Sequence, residues 1–285
     1  MTSSNHLSRR SFLSLLASAP LASALPHSLL AARHIPVGLE LYSVRNALKQ
    51  DLMGTVTSVA HLGYQCVEFY APYYDWTPDY AAQVRTLLDS LRIRCYSTHN
   101  SLESFSPDGI NKAIELNHAL GTHYVVLASP GDNVKTLDGW KRIADTLNSA
   151  NQSLASHGLH AGYHNHDLEW KSVDNQVPME LLSANTDKSI MLQLDVGTCV
   201  AAVADPVRWI ESHPGRIRSM HCKDWSPEKG YRVLLGEGVA PWKKLFAAAE
   251  SVGGLEYYLI EQEGSDYSEL ETAKRCLATF RSLHP

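Results

Sequence analysis

The sequence predicts an α/β fold of the (β/α)8 TIM barrel class, a single domain behind an N-terminal export segment. Three observations predict it. Four short apolar runs each stop at a side chain able to bind a metal: residues 160–167 (HAGYHNHD), 190–197 (IMLQLDVG), 217–224 (IRSMHCKD) and 257–264 (YYLIEQEG). Strand-like runs alternate with amphipathic segments for about 250 residues, the usual length of such a barrel. Glycines stand just past several of the amphipathic segments, where a left-handed residue ends a helix.

The first strand is predicted at residues 37–42, and residues 55–62 read as a helix stopped by Gly63. The second strand, 66–70, leads to a helix at 80–91. The third, 94–98, leads to a helix at 110–120 before Gly121. The fourth, 124–128, leads to a long helix at 137–157 before Gly158. The fifth and sixth, 160–164 and 191–195, flank a short helix at 179–183. A helix at 206–212 leads to the seventh strand, 217–221. Residues 241–251 form a helix ahead of Gly253 and Gly254, the eighth strand is 257–261, and a helix at 267–283 closes the chain. Such alternation demands a parallel sheet, because parallel neighbours need crossover connections. Eight units close a barrel; seven, or an open doubly wound sheet, are the alternatives. No GxGxxG follows the first strand, which weighs against a dinucleotide-binding fold.

Residues 1–32 stand apart. Ser8-Arg9-Arg10-Ser11-Phe12-Leu13 precedes an Ala/Ser/Leu stretch, a pattern similar to a twin-arginine export signal, with residues 33–285 as the barrel. The expected location is periplasmic or secreted. The apolar run is short and broken by Pro20 and Pro26, so no stable membrane anchor is expected. Formal net charge is −5 with no basic stripe, which argues against nucleic acid as a partner. Five scattered cysteines form neither a complete disulfide framework nor a thiolate zinc motif.

The four strand ends carry His164, Asp195, His221 and Glu261, each about one βα unit from the next. Two imidazoles and two carboxylates suit one divalent ion, with Mn²⁺ placed ahead of Co²⁺, Zn²⁺, Mg²⁺ or Fe²⁺. His166 lies two residues beyond His164 and shares its face, so either is the fifth-strand ligand. Asp167 and Glu169 are candidates to orient these rings. Glu261, His166, Lys223 and Glu68 are the candidate catalytic residues, with pairing to Arg45 or Asp224 the plain alternative for Glu68 and Lys223. His99, Tyr42, Glu237 and Trp225 are candidates to touch substrate, and Trp76 is a further flat face.

These residues sit in segments that resemble the xylose-isomerase-like barrel superfamily, in its sugar phosphate isomerase/epimerase branch. The segments are residues 38–45 (GLELYSVR), 162–167 (GYHNHD), 194–197 (LDVG), 221–224 (HCKD) and 236–242 (GEGVAPW), and the likeness runs over about residues 35–283. The resemblance implies a metal held at His164, Asp195, His221 and Glu261. One position departs from the pattern. Ketose epimerases of this superfamily carry Glu where this chain has His164, and that Glu works with the one matched to Glu261. The His-rich fifth strand is closer to inosose-dehydratase-like and keto-glycoside-cleaving relatives.

The chemistry implied is proton abstraction beside a carbonyl, with a divalent ion polarising the C=O. A metal-dependent sugar isomerase/epimerase is the first expectation. A lyase or dehydratase of a keto-sugar, 3-keto-glycoside or keto-inositol follows, then a non-catalytic exported sugar-binding protein. Abasic-site nuclease activity is disfavoured because several further ligands have no match. The partner expected is a small sugar or sugar derivative, with homo-oligomerisation left open.

Overall fold

The computed structural model describes residues 34–131 and 134–285; the proposed export segment, residues 1–32, lies outside the described residues. Eight parallel strands close in sequence order into a barrel, so the seven-stranded and open-sheet alternatives fall away. The strands are β1 (Val37–Glu40), β2 (Cys66–Phe69), β3 (Arg94–Asn100), β4 (Tyr124–Leu127), β5 (His160–His164), β6 (Met191–Asp195), β7 (Ser219–Cys222) and β8 (Tyr257–Ile260).

The helices are α1 (Arg45–Gln50), α2 (Leu52–Leu62), α3 (Pro78–Leu91), α4 (Ile110–Leu120), α5 (Leu137–Ala155), α6 (Pro178–Asn185), α7 (Val196–Ala201), α8 (Pro206–Ser212), α9 (Trp242–Ala248) and α10 (Glu269–Leu283). Gly63 and Gly121 cap α2 and α4 in the left-handed conformation, as expected. None of the described helices is long and apolar enough to cross a membrane.

Two differences from expectation have local causes. The first strand stops at Glu40 because its carboxylate accepts from the Tyr42 N–H at 2.7 Å and turns the chain into a 3₁₀ segment, Leu41–Val44. The segment after β6 is helical, although Val, Thr and Cys are weak helix formers. Asp195 nucleates it by accepting from the Thr198 N–H at 3.0 Å.

The period of two along each strand divides the core. Val67, Val125, Leu192, Leu194, Tyr258 and Ile260 face out and pack against helices. Cys66, Tyr124, Val126, Met191, Tyr257 and Leu259 face in and form a separate plug inside the barrel. Continuing the inward parity along these strands leads to Glu68, Gln193, Asp195 and Glu261, and β7 adds His221 between β6 and β8. The register places Glu40 beside Glu68, His164 beside Gln193, and Asp195 beside His221. Apolar side chains therefore fill the floor, and polar ones crowd the C-terminal mouth, where such barrels hold their sites. All five cysteines are free and buried.

Candidate active site

Three strand ends on one side of the mouth supply the centre of the site. His164, Asp195 and Glu261 each place a ligand atom so that the three lie within 4.8 Å of one another. His164 belongs also to a triad of imidazoles with His99 and His221 under the same limit. His99 and His221 are stacked, with ring centroids 5.1 Å apart and planes 5° from parallel. Of the two fifth-strand histidines, His164 joins the carboxylates, while His166 packs edge-on against it at 5.0 Å and faces the cavity.

Gln193 organises the imidazoles. Its Oε1 lies 3.1 Å from His164 Nδ1 and 2.7 Å from His99 Nε2. An amide oxygen only accepts, so His164 carries its proton on Nδ1, and the bare Nε2 lies 3.8 Å from Asp195 Oδ2. Gln193 Nε2 in turn donates to Glu68 Oε1 at 2.9 Å and to Ser219 Oγ at 3.2 Å. His221 bridges two carboxylates: Nδ1 is 2.7 Å from Glu261 Oε2 and Nε2 is 2.9 Å from Glu68 Oε2.

Charges buried this closely set one another's protonation. Burial alone lowers the pKa of His221, but its bonds to Glu261 and Glu68 outweigh that and raise it to about 10. Burial, then His221 and His99, push His164 well below the ordinary histidine range. Burial pulls Glu261 upward, yet Lys223 and His221 hold it well below the usual carboxylate range. Asp195 is raised by burial, which Lys223 only partly offsets. Glu40 is raised well above its ordinary value by burial, then by Glu261 and Glu68.

These residues fit a divalent cation. Asp195 Oδ2 is fully buried and accepts no hydrogen bond; the Lys223 ammonium at 3.4 Å partly offsets its charge, and the oxygen keeps its capacity to bind a cation. The donor set is imidazole and carboxylate, which suits borderline and hard divalent ions. His164, Asp195 and Glu261 would hold it; His221, the fourth expected ligand, clusters with His164 and His99, with both its ring nitrogens bonded to carboxylates.

Above this centre opens a cavity of about 350 Å³, walled by Glu40, Tyr42, His99, His166 and Glu263 among others. A larger groove of about 680 Å³ lies elsewhere, lined by Phe105, Ile110 and Arg142, and holds none of these clusters.

The structure brings His164, His166, His99, Tyr42 and Glu261 to the cavity and leaves other candidates aside. Glu68 lies beneath it, fully buried, with Ser97, Gln193, His99 and His221 around its carboxylate, and makes no pair with Arg45. Its carboxylate meets His221 and His99 and does not line the cavity. Lys223 is also tucked below, bonded to Glu263, 3.4 Å from Asp195 Oδ2 and 3.3 Å from Glu261 Oε1; Asp224 turns away from it. Gly197 allows this, since a Cβ there would lie 2.9 Å from the Lys223 side chain.

Glu237 is exposed and accepts from the Leu234 N–H, closing its own loop outside the cavity wall. Trp225 is half-buried beyond that wall, and Trp76 packs edge-on against Phe69, Tyr73 and Tyr80. Asp167 turns outward to Lys171, while Glu169 accepts from Tyr163 and from the His166 backbone, so neither orients a ring.

Glu40, Gln193 and Glu263 are site residues beyond the sequence candidates. Each had a signal. Glu40 and Gln193 are polar residues inside aliphatic strand runs, and Gln193 and Glu263 lie two residues from proposed ligands on the same face.

The family model described as "Xylose isomerase-like TIM barrel" matches residues 56–283. An inosose dehydratase from Clostridium botulinum (strain Alaska E43 / Type E3) is 26% identical over 125 residues, 39% of this chain; the aligned stretch spans only 42% of that relative's length. A sugar phosphate isomerase/epimerase from Parabacteroides distasonis superposes with a TM-score of 0.74 at 24% identity, covering 90% of this chain and 96% of that one. The IOLI protein, solved with a binding zinc atom, superposes with a TM-score of 0.69 at 17% identity, covering 87% and 98%. Both structural likenesses show a shared fold.

Proposed function

The chain belongs to the xylose isomerase-like TIM barrel family, and from that premise we propose that it is a metal-dependent enzyme acting beside the carbonyl of a small polyhydroxylated ketone, with β-elimination as its reaction. The observation that carries the reading is the buried trio His164, Asp195 and Glu261, two of which, His164 and Glu261, wall a cavity of about 350 Å³. When bound, a divalent ion supplies Lewis-acid polarisation of a substrate oxygen.

The remaining steps fall to the chain's own groups. Glu261, on the cavity wall and held in its ionised form by Lys223, accepts the proton from the carbon next to the carbonyl. The electron pair forms the C=C bond, and the β-oxygen leaves. His166, on the cavity wall beyond β5, delivers a proton to that oxygen, so that water or an alcohol departs. His99 holds a substrate hydroxyl. Glu68 and Gln193 fix the imidazoles from below.

Elimination is favoured over epimerisation by the imidazole at the end of β5. Epimerisation on the family's pattern needs a carboxylate on each face of the substrate carbon, and here the acidic wall groups Glu40, Glu261 and Glu263 come from β1 and β8, which are neighbours. The likeness to inosose dehydratases supports the same reading.

The test is incubation of the Mn²⁺-, Co²⁺- or Zn²⁺-loaded protein with a keto-inositol, a 3-keto-glucoside and free ketoses in D₂O. Release of water or aglycone is the expected result. Deuterium in a recovered sugar with nothing lost would establish isomerisation or epimerisation in its place. Full activity after complete chelation would reject the metal-dependent reading. We also infer export through residues 1–32, tested by fusing them to a reporter carried by the twin-arginine route.

A further inference from the structure

The loops after the seventh and eighth strands of a parallel barrel are the usual seat of a substrate phosphate, which binds backbone N–H groups there. In this chain Asp224 takes up such donors in the loop after β7, and Glu269, at the start of α10 after β8, takes up the donors at the start of α1. Asp224 accepts from the backbone N–H of Trp225 (2.9 Å), Gly236 (2.9 Å), Gly238 (3.2 Å) and Ala240 (3.3 Å), and from the indole of Trp242 (2.8 Å). Gly238 is required for this wrap, because a Cβ would lie 2.0 Å from Asp224 Oδ1. Glu269 accepts from the backbone N–H of Asn46 and Ala47, at 3.1 and 3.0 Å, and from the Asn46 side chain at 2.8 Å.

The nearby cations are committed as well. Lys223 is surrounded by Asp195, Glu261 and Glu263. Arg45 donates to the carbonyls of Tyr42 (2.9 Å) and Glu263 (2.8 Å) and lies over the Tyr42 ring at 4.4 Å. A hollow of about 180 Å³ shares Glu263 with the main cavity, but Glu269 sits in it, and its Gly264 N–H is bonded to Gln262 at 2.7 Å. Among the described residues no Lys or Arg lines the main cavity, whose acidic wall groups are Glu40, Glu261 and Glu263.

We propose that this site selects against anionic substrates: Asp224 occupies the backbone donors of the loop after β7, no Lys or Arg among the described residues lines the cavity, Glu263 presents a carboxylate to it, and the site takes an uncharged polyhydroxylated ketone while rejecting its phosphate ester. The inference rests on the active-site reading above and names the substrate class for it. Glu263 is the specificity-determining residue, because it is half-buried at the mouth and its carboxylate, bonded through one oxygen to Lys223, lines the cavity.

Calorimetric titration of the full-length, Mn²⁺-loaded protein tests this with matched pairs, such as D-fructose and D-fructose 6-phosphate or a keto-inositol and its phosphate. The neutral member is expected to bind about tenfold tighter, the scale of one like charge a few ångströms away across a partly wet pocket. Raising ionic strength should shrink that preference, because salt screens a charge effect and leaves a steric one untouched. Glu263→Gln should narrow it several-fold. Equal or tighter binding of the phosphate esters overturns the inference while leaving the active-site reading intact. So does a preference that neither salt nor Glu263→Gln alters. Failure of every neutral ketone to bind sinks the active-site reading, and the inference with it.

Discussion

The floor and the mouth of the barrel are built from the same inward-facing positions of the same strands, yet they answer to different physics. On β6 the floor residue is Met191 and the mouth residue is Asp195; on β8 they are Tyr257 and, one residue past the strand, Glu261. At the floor, apolar side chains fill space and contribute to stability by burial. At the mouth, buried charges cost desolvation and are kept in place by one another: Glu68 by His99 and His221, Glu261 by Lys223 and His221. The lesson is that stability and chemistry separate by depth along a strand. Substitutions at the two levels should therefore break different properties.

Asp195→Asn is the sharpest cut at the mouth. The amide retains an oxygen to cap Thr198 but loses the charge facing His164 and Lys223. Turnover is expected to fall by at least about 10³-fold, roughly 4 kcal/mol of transition-state stabilisation. The thermal midpoint should move by no more than about 4 °C. Steady-state kinetics and a melting curve on the same preparation check this, and a variant that unfolds instead would erase the separation by depth.

Tyr257→Ala makes the opposite cut. The ring is buried in the barrel plug against Tyr96, Tyr124 and Met191. Its removal should cost about 3–5 kcal/mol of unfolding free energy, read from urea denaturation. Metal content per folded chain should stay at the wild-type level.

Glu68→Gln probes the layer between. It keeps the shape and removes the charge that steadies His221 from below. Metal affinity is expected to drop about 10–100-fold, as for other groups that orient a ligand, while KM for substrate at saturating metal changes little. Isothermal titration with Mn²⁺ gives the number, and an unchanged affinity would return Glu68 to a purely structural role.

Much of this molecule was legible from local pattern. β5 and β6, residues 160–164 and 191–195, fall where the apolar runs predict them, because a strand buried on both faces writes itself as a continuous apolar run. His164, Asp195 and Glu261 stood out for the same reason, being polar residues that end such runs. The short helix α7 was not legible, since VGTCVA reads as strand or loop until the Asp195 cap is known. Glu40 and Gln193 carry the weaker signal of a polar residue inside an aliphatic run, which marks them as unusual without saying which neighbours they meet.

The sequence by itself determined the alternation of strands and helices, the faces they bury and the residue types waiting at the strand ends, all of which depend on periods of 2 and 3.6 within a few neighbours. Only the tertiary structure decided which of those residues share a centre, which carboxylates surround Lys223, and that Asp224 and Glu269 take up backbone donors of the loop after β7 and of α1. Those outcomes depend on register and closure between segments up to 223 residues apart, such as Asn46 and Glu269. Distances of a few ångströms between remote charges exist only once the barrel has closed.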